Sequence, residues 1–238
     1  MRFVSAADHQ LTLDLYNVTR HELGDFHRAG NAETVAAVER LVRGEGPRVV
    51  YLWGATGCGK SHLLQAAVQA VGAAGERAMY LPLRALAASG PAVLEGLEAV
   101  TLLAIDDLDA VVDQRPWAER LFHLHNALAA AAGRLLWSSR SAPASTVFAL
   151  PDLASRTAAS LVYQLHEPDE ATRAAILVQL ARRRGFDLPL PVVEFILRRE
   201  RRDLVSLVTL LDVLDQASLS HGRALTVPFV RELLAARG

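Results

Sequence analysis

Gly54-Ala55-Thr56-Gly57-Cys58-Gly59-Lys60-Ser61 fits the pattern G-x-x-x-x-G-K-[ST], and no other feature leaves this chain fewer folds to choose from. The pattern needs a strand before it and a helix after it. Only then do the loop's backbone N–H groups and the positive end of a helix converge on a phosphate. Both flanks are present. Arg48 to Trp53 is an apolar, β-rich run that stops at Gly54, and Lys60 to Ala74 carries Leu63, Leu64, Ala67, Val68 and Val71 at helical spacing. Gly72 and Gly75 punctuate the end of that helix. The lysine is informative in itself: among 25 basic residues, only Lys60 is not arginine. A chain that uses arginine everywhere else keeps here the compact point charge that reaches between β- and γ-phosphates, where a planar guanidinium is too wide.

Such a loop works with a magnesium ligand, and Val100 to Ile105 supplies one by reading as an apolar strand followed by Asp106 and Asp107. Parallel strands end in a common crevice, so a carboxylate at this tip stands beside the loop. Asp106 is the expected Mg²⁺ ligand, through water, with Ser61 supplying a hydroxyl. Asp107 is the candidate for orienting or deprotonating an attacking water. Without the upstream loop, Asp106, Asp107 and Asp109 would read only as a solvated turn.

At 238 residues, 51% of them hydrophobic, the chain has room for one α/β domain and a small satellite. Candidate strands at 48–53, 77–81, 100–105, 134–138 and 161–165 alternate with helical patterns, which predicts an α/β fold with a parallel sheet covered on both faces. The strand at 77–81 is taken as the extra strand that one subclass of phosphate-loop proteins inserts between the loop strand and the Asp106 strand. After Pro168 the strands stop, and helical patterns at 169–184, 190–200, 203–220 and 227–236 make an all-α lid. The expected organisation is a tail at 1–20, a nucleotide-binding domain at 21–167 and a helical lid at 168–238.

Formal net charge is −1. Residues 1–169 hold 14 basic and 18 acidic side chains and residues 170–238 hold 11 and 8, an asymmetry too mild for a non-specific DNA binder. Arg182-Arg183-Arg184 and Arg198-Arg199-Glu200-Arg201-Arg202 read as solvated helix faces. No apolar run approaches a membrane span, and Met1-Arg2-Phe3 leads into polar residues rather than a signal peptide. The single cysteine, Cys58, makes no internal disulfide, so a cytoplasmic location is expected. Its place at a helix N-terminus would lower its pKa, although a small residue filling the loop is the preferred reading. The histidines offer no metal site: His123 and His125 stand two apart on a helix and point to different sides.

Together these motifs resemble the AAA+ ATPases, and within them the relatives of the bacterial replication initiator DnaA, from Gln10 nearly to the end of the chain. Asp25-Phe26-His27-Arg28-Ala29-Gly30-Asn31 is similar to the segment that lines the adenine pocket in that family. Leu150-Pro151-Asp152-Leu153-Ala154-Ser155-Arg156 resembles the motif carrying an arginine finger on a loop that faces a neighbouring subunit. Arg202-Asp203-Leu204 is similar to the Arg-Glu-Leu of the lid helix, whose arginine contacts nucleotide, and Thr226-Val227-Pro228-Phe229-Val230 resembles the end of the short regulatory members. Two features favour those members over DnaA itself. The chain ends where the lid ends, so no helix-turn-helix domain is expected. Gln10-Leu11-Thr12-Leu13-Asp14-Leu15-Tyr16 resembles their sliding-clamp-binding peptide. Leu11, Leu13 and Leu15 alternate with Thr12 and Asp14, giving an extended peptide one apolar face with Tyr16 as terminal anchor. An edge strand packed on its own domain is the other reading of that pattern.

The resemblance implies a negative regulator of replication initiation. Gly54 to Ser61, His62 and Arg202 would bind ADP or ATP with Mg²⁺. Gln10, Leu11, Leu13, Leu15 and Tyr16 would dock on the sliding clamp, the β subunit of DNA polymerase III, so that DNA is met only indirectly. Arg156 would act in trans as a finger on the ATP held by DnaA, and a homo-oligomer is left open. Two departures imply slow hydrolysis by this chain alone: Arg140, in Ser138-Ser139-Arg140-Ser141, stands where relatives carry aspartate, and Asp107 is shorter than the glutamate most AAA+ ATPases use as base. The alternatives are a helicase-loader or transposition-type ATPase, which needs basic DNA contacts, and a scaffold in which nucleotide only shapes binding surfaces.

Overall fold

Five short runs rich in Val, Leu, Ile and aromatic residues become the strands β1 (Val49–Trp53), β2 (Ala78–Pro82), β3 (Leu102–Asp106), β4 (Arg134–Ser139) and β5 (Leu161–Gln164). They form one sheet in the order β2-β3-β4-β1-β5, every neighbouring pair parallel. The computed structural model describes residues 22–199, 204–221 and 224–235. The tail expected at 1–20, with Gln10, Leu11, Leu13, Leu15 and Tyr16, lies outside the described residues, as does Arg202.

One expectation about the sheet is corrected. β2, the strand between β1 and β3 along the chain, stands at the edge, and the space between β1 and β3 is taken by β4. Chain order does not dictate sheet order, because each parallel connection crosses a face through a helix.

Both faces of the central strands β1, β3 and β4 are buried, which is why they read as nearly continuous apolar runs, while the edge strands β2 and β5 are half-exposed. Alternate residues serve opposite cores. Tyr51, Leu103, Ile105, Leu135 and Trp137 join one cluster, while Val50, Leu52, Leu102, Ala104 and Leu136 join the other. The first cluster is closed by α4 (Arg115–Ala130) through Trp117, Leu121, Leu124 and Leu128, and by Leu153 of α5 (Pro151–Ala158). The second is closed by α1 (Ala32–Val42) through Val38 and Leu41, and by α2 (Lys60–Ala73) through Leu63, Leu64, Ala67 and Val71. A single turn of helix, α3 (Leu83–Leu86), follows β2 directly. Arg134 fastens the far end of the sheet: buried, it donates to the carbonyls of Leu41 (3.1 Å) and Val42 and pairs with Glu76 at 2.6 Å.

After β5 the chain is helical: α6 (Glu170–Arg183), α7 (Leu190–Arg199), α8 (Leu204–His221) and α9 (Val227–Ala235). Asp169 caps α6 by accepting from the Thr172 N–H at 2.7 Å. These helices enclose a third core around Leu177, Val193, Ile196, Leu211, Leu214 and Phe229. Arg183 pairs with Asp25 and Arg184 with Asp212 at 2.8 Å, so the expected solvated face of Arg182-Arg183-Arg184 is in part a set of ties. Among the described residues, no helix is long and apolar enough to cross a membrane.

Candidate nucleotide site

The strand register brings the chemistry to one rim. Leu52 pairs with Ser138 and Trp53 with Ser139 across β1 and β4, Ile105 with Trp137 across β3 and β4, and Pro82 with Asp106 across β2 and β3. Gly54, Asp106, Asp107, Ser138 and Ser139 therefore leave the sheet side by side.

The loop between β1 and α2 is built on glycines that nothing else replaces. Gly54 has φ +157°, and a Cβ there would lie 2.3 Å from the Leu165 carbonyl oxygen. Gly59 has φ +101°, and a Cβ there would meet the Phe26 ring at 2.7 Å. Phe26 also stacks obliquely on His62, ring centroids 5.9 Å apart, so the segment before α1 reaches the start of α2. That segment is pinned by Asn31, whose side chain donates to the His166 carbonyl (3.1 Å) and accepts from the His166 N–H (2.8 Å). Lys60 is buried with its Nζ on the carbonyls of Gly54 (2.7 Å) and Ala55 (2.8 Å). Cys58 is buried too. Burial pushes its thiol up, only partly opposed by the Lys60 ammonium, which corrects the low-pKa reading.

Asp106 is 3% exposed and well held. Its Oδ1 accepts from the Ser138 hydroxyl and from the Asp107 N–H (3.1 Å), and its Oδ2 accepts from Tyr80 Oη at 2.7 Å. Burial first, and then the Asp106 carboxylate, push the Tyr80 pKa well above the usual tyrosine value. Tyr80 thus helps to hold Asp106, one of the two residues expected at magnesium. A carboxylate has about four lone-pair positions. Three are occupied here, and the one left on Oδ2, with the Ser61 hydroxyl, makes the hard-oxygen set that a water-carrying Mg²⁺ takes.

Asp107 has φ 54° and ψ 48°, the left-handed conformation, stabilised as its N–H donates to Ser138 Oγ at 3.1 Å. Its carboxylate pairs with Arg84 Nε at 2.9 Å, and Arg84 reaches Asp109 at 3.4 Å. Arg140 holds Asp109 more firmly, by Nε at 2.7 Å and by its backbone N–H at 3.1 Å. Burial opposes ionisation of Asp109, but the Arg140 contacts outweigh it and hold the carboxyl below the usual range. Asp109, read from sequence as a turn residue, is the hub of this rim.

A cavity of about 660 Å³ opens over these groups, lined on the loop side by Thr56, Gly57, Gly59, Lys60, Ser61 and His62. Gln65 of α2 lines it as well, Arg84, Asp107 and Arg140 line it from beyond the ends of β2, β3 and β4, and α8 adds Val208 and Thr209. Gly54, Ala55, Cys58 and Asp106 do not line it, and Cys58 and Asp106 are buried. Sequence reasoning missed Gln65, Tyr80 and Arg84. Only a long polar residue near the end of β2 hints at them. Arg156 is not in this wall. The segment expected as a loop is the helix α5, and Arg156 stands exposed in its last turn.

A glycine-built loop between β1 and α2, a buried carboxylate at the end of β3 and helical residues Val208 and Thr209 thus meet at one cavity rim. Residues 28–164, more than half of the chain, match the family model described as the bacterial DnaA ATPase domain. The chain belongs to the bacterial DnaA ATPase family. Residues 155–234 match the model described as the Hda lid domain. Domain III of the Thermotoga maritima replication initiation protein DnaA superposes with a TM-score of 0.76 at 22% identity, over 87% of this chain and 92% of that one. A DnaA bound to AMPPCP and single-stranded DNA gives 0.68 at 21% identity, over 82% of this chain and 65% of that chain. A Thermotoga maritima RuvB mutant gives 0.67 at 18%, over 91% and 72%. The chain thus spans about two thirds of the longer initiator chain. At these identities the likeness carries the AAA+ fold, a parallel sheet with a helical lid, and not the activity.

Proposed function

We propose that this chain is an Hda-like negative regulator of replication initiation. In this reading it binds an adenine nucleotide with Mg²⁺, docks on the DNA-loaded sliding clamp through residues 10–16, and drives hydrolysis of the ATP held by DnaA. The observation that carries the reading is the place of Arg156. It stands exposed on α5, outside the wall of its own chain's cavity, and makes no ion pair within 4 Å among the described residues. A guanidinium free to enter a neighbour's site stabilises charge on a transferring phosphoryl group, an effect of about 10³ to 10⁵-fold in known in-trans fingers.

Within the chain, Lys60 and the loop N–H groups would bind the phosphates, with Phe26 and His62 near the loop's helix end and Arg202 supplied by the lid. Magnesium, held by Ser61 and through water by Asp106, would neutralise phosphate charge. Asp107 would orient water poorly, since its carboxylate is engaged by Arg84. Intrinsic turnover is therefore expected to be weak and DnaA-bound ATP the main target. The test compares single-turnover hydrolysis by the isolated chain with hydrolysis of ATP preloaded on DnaA when chain, clamp and DNA are added. Acceleration only in the second assay supports the reading; fast hydrolysis by the chain alone overturns it.

The Arg84–Asp107 pair favours a second reading, a scaffold in which nucleotide only sets the binding surfaces. It predicts clamp and DnaA binding with no acceleration of DnaA-bound hydrolysis.

A further inference from the structure

Three carboxylates stand at the rim, and two of them are matched by cations. Asp107 pairs with Arg84 at 2.9 Å, and Asp109 with Arg140 at 2.7 Å and Arg84 at 3.4 Å. Asp106 is different. Among the described residues it makes no ion pair within 4.0 Å. Its partners are neutral donors: the Ser138 hydroxyl and the Asp107 N–H on Oδ1, and the Tyr80 hydroxyl on Oδ2 at 2.7 Å. A guanidinium on a carboxylate competes with a divalent cation for the same charge, whereas a hydroxyl directs the oxygen and leaves the charge in place. Of these three carboxylates, Asp106 is the one left for a metal ion.

Tyr80 decides which way Oδ2 faces. It pairs with Ala104 in the β2–β3 register, so it shares a face with Asp106 and stands two residues back along the strands, a gap of about 7 Å that its side chain spans. The ring packs against the core closed by α1 and α2, which fixes the place of the hydroxyl. Oδ1 has two donors, whereas Tyr80 is the one donor on Oδ2 among the described residues. Without that hydroxyl, an oxygen of a buried carboxylate loses its partner and the group is free to turn. We propose that Tyr80 is a positioning residue for the candidate metal carboxylate, and that by holding Oδ2 it sets how tightly the site retains a divalent cation beside bound nucleotide. Tyr80 does not line the cavity and acts only through Asp106. The inference rests on the nucleotide and magnesium reading above, and it adds a residue of the edge strand β2 to that site.

The experiment measures the affinity for non-hydrolysable AMPPCP by calorimetry, once with excess Mg²⁺ and once in EDTA. Wild type, Tyr80→Phe, Asp106→Asn and the double variant Tyr80→Phe/Asp106→Asn are compared, and the ratio of the two affinities reads the share due to the metal. Removing a group that orients a metal ligand costs about 10- to 100-fold in metal affinity, so Tyr80→Phe should cut the ratio about tenfold while its affinity in EDTA stays within about twofold of wild type. Asp106→Asn should cut the ratio at least as far, and the double variant no further than Asp106→Asn alone, because Tyr80 acts through that carboxylate. Electron paramagnetic resonance of Mn²⁺ in place of Mg²⁺ gives a second readout: the AMPPCP complex of Tyr80→Phe should hold Mn²⁺ about tenfold less tightly. Tyr80→Phe keeps the ring in its packing, and ligand-free melting temperatures check that each variant folds. A ratio in Tyr80→Phe as high as in wild type overturns the proposal and leaves the metal site standing. So does a double variant clearly weaker than Asp106→Asn. A wild type whose AMPPCP affinity ignores Mg²⁺ overturns the metal reading of Asp106 and Ser61, and the Tyr80 proposal with it.

Discussion

At the scale of single residues, Lys60 and the glycines around it show how much chemistry one loop concentrates. Lys60 Nζ rests on two loop carbonyls, so its charge is stored beside the place a phosphate would take. Ligand that binds only the folded state stabilises it by about 2.7 kcal/mol at a hundredfold excess over Kd, several degrees in melting temperature for a chain of this size. Wild type should show that shift with ADP and Lys60→Ala should not; scanning calorimetry with and without ligand reads it, and equal shifts would contradict it. Gly54→Ala places a methyl 2.3 Å from the Leu165 carbonyl oxygen. It should lower stability by about 2 kcal/mol or more, measured by urea unfolding, because backbone rather than a mobile side chain must give way. His125 supplies a pH dependence. It is 8% exposed, and burial first, with the Arg156 cation adding to it, holds its pKa below the ordinary 6.5. The folded state thus prefers neutral imidazole, and this contribution is present above the unfolded pKa and is lost as pH falls through the folded one. The melting temperature should drop as pH falls below about 6.5, and His125→Leu should flatten that part of the profile.

At the scale of elements, Asn31 couples the start of α1 to the end of β5 through its two hydrogen bonds with the His166 backbone. Asn31→Ala leaves both backbone groups partnerless and should cost about 2 kcal/mol. A change under a few tenths, by the same unfolding measurement, would show that water replaces the amide. Asn31 also shows where reading the sequence stops. The five strands were legible, to within a residue or two, because β1, β3 and β4 are runs buried almost throughout and the half-exposed edge strands β2 and β5 are still rich in Leu, Val and Tyr. The loop was legible because its chemistry demands consecutive residues. Sheet order was not, since nothing in the run at 134–139 says that it slides between β1 and β3 and displaces β2 to the edge. For the same reason the rim network was hidden. Tyr80 meets Asp106, Arg84 meets Asp107 and Arg140 meets Asp109 only after three strands align, and each pair is 26, 23 or 31 residues apart. Arg156 was expected on a loop, but Pro151 and Asp152 also favour the first turn of a helix, and helix is what they begin.

At the scale of the molecule, the lid and the segment before α1 act on one cavity. α8 supplies Val208 and Thr209 to its wall, and Arg183 of α6 holds Asp25, next to the Phe26 that covers Gly59. Nucleotide in that cavity would therefore set the lid, while Arg156 stands exposed on α5, outside the cavity's lining. The central claim is that this exposed guanidinium completes another protein's site. The direct measurement is turnover of labelled ATP preloaded on DnaA, with clamp and DNA present, on adding wild type or Arg156→Ala. The account predicts that Arg156→Ala folds, binds nucleotide and binds clamp as wild type does, yet loses nearly all acceleration, because the missing contact exists mainly in the transition state. Arg156→Lys should be almost as poor, since a point charge does not reproduce the planar contact. Full acceleration by Arg156→Ala would contradict the account and leave the chain a scaffold.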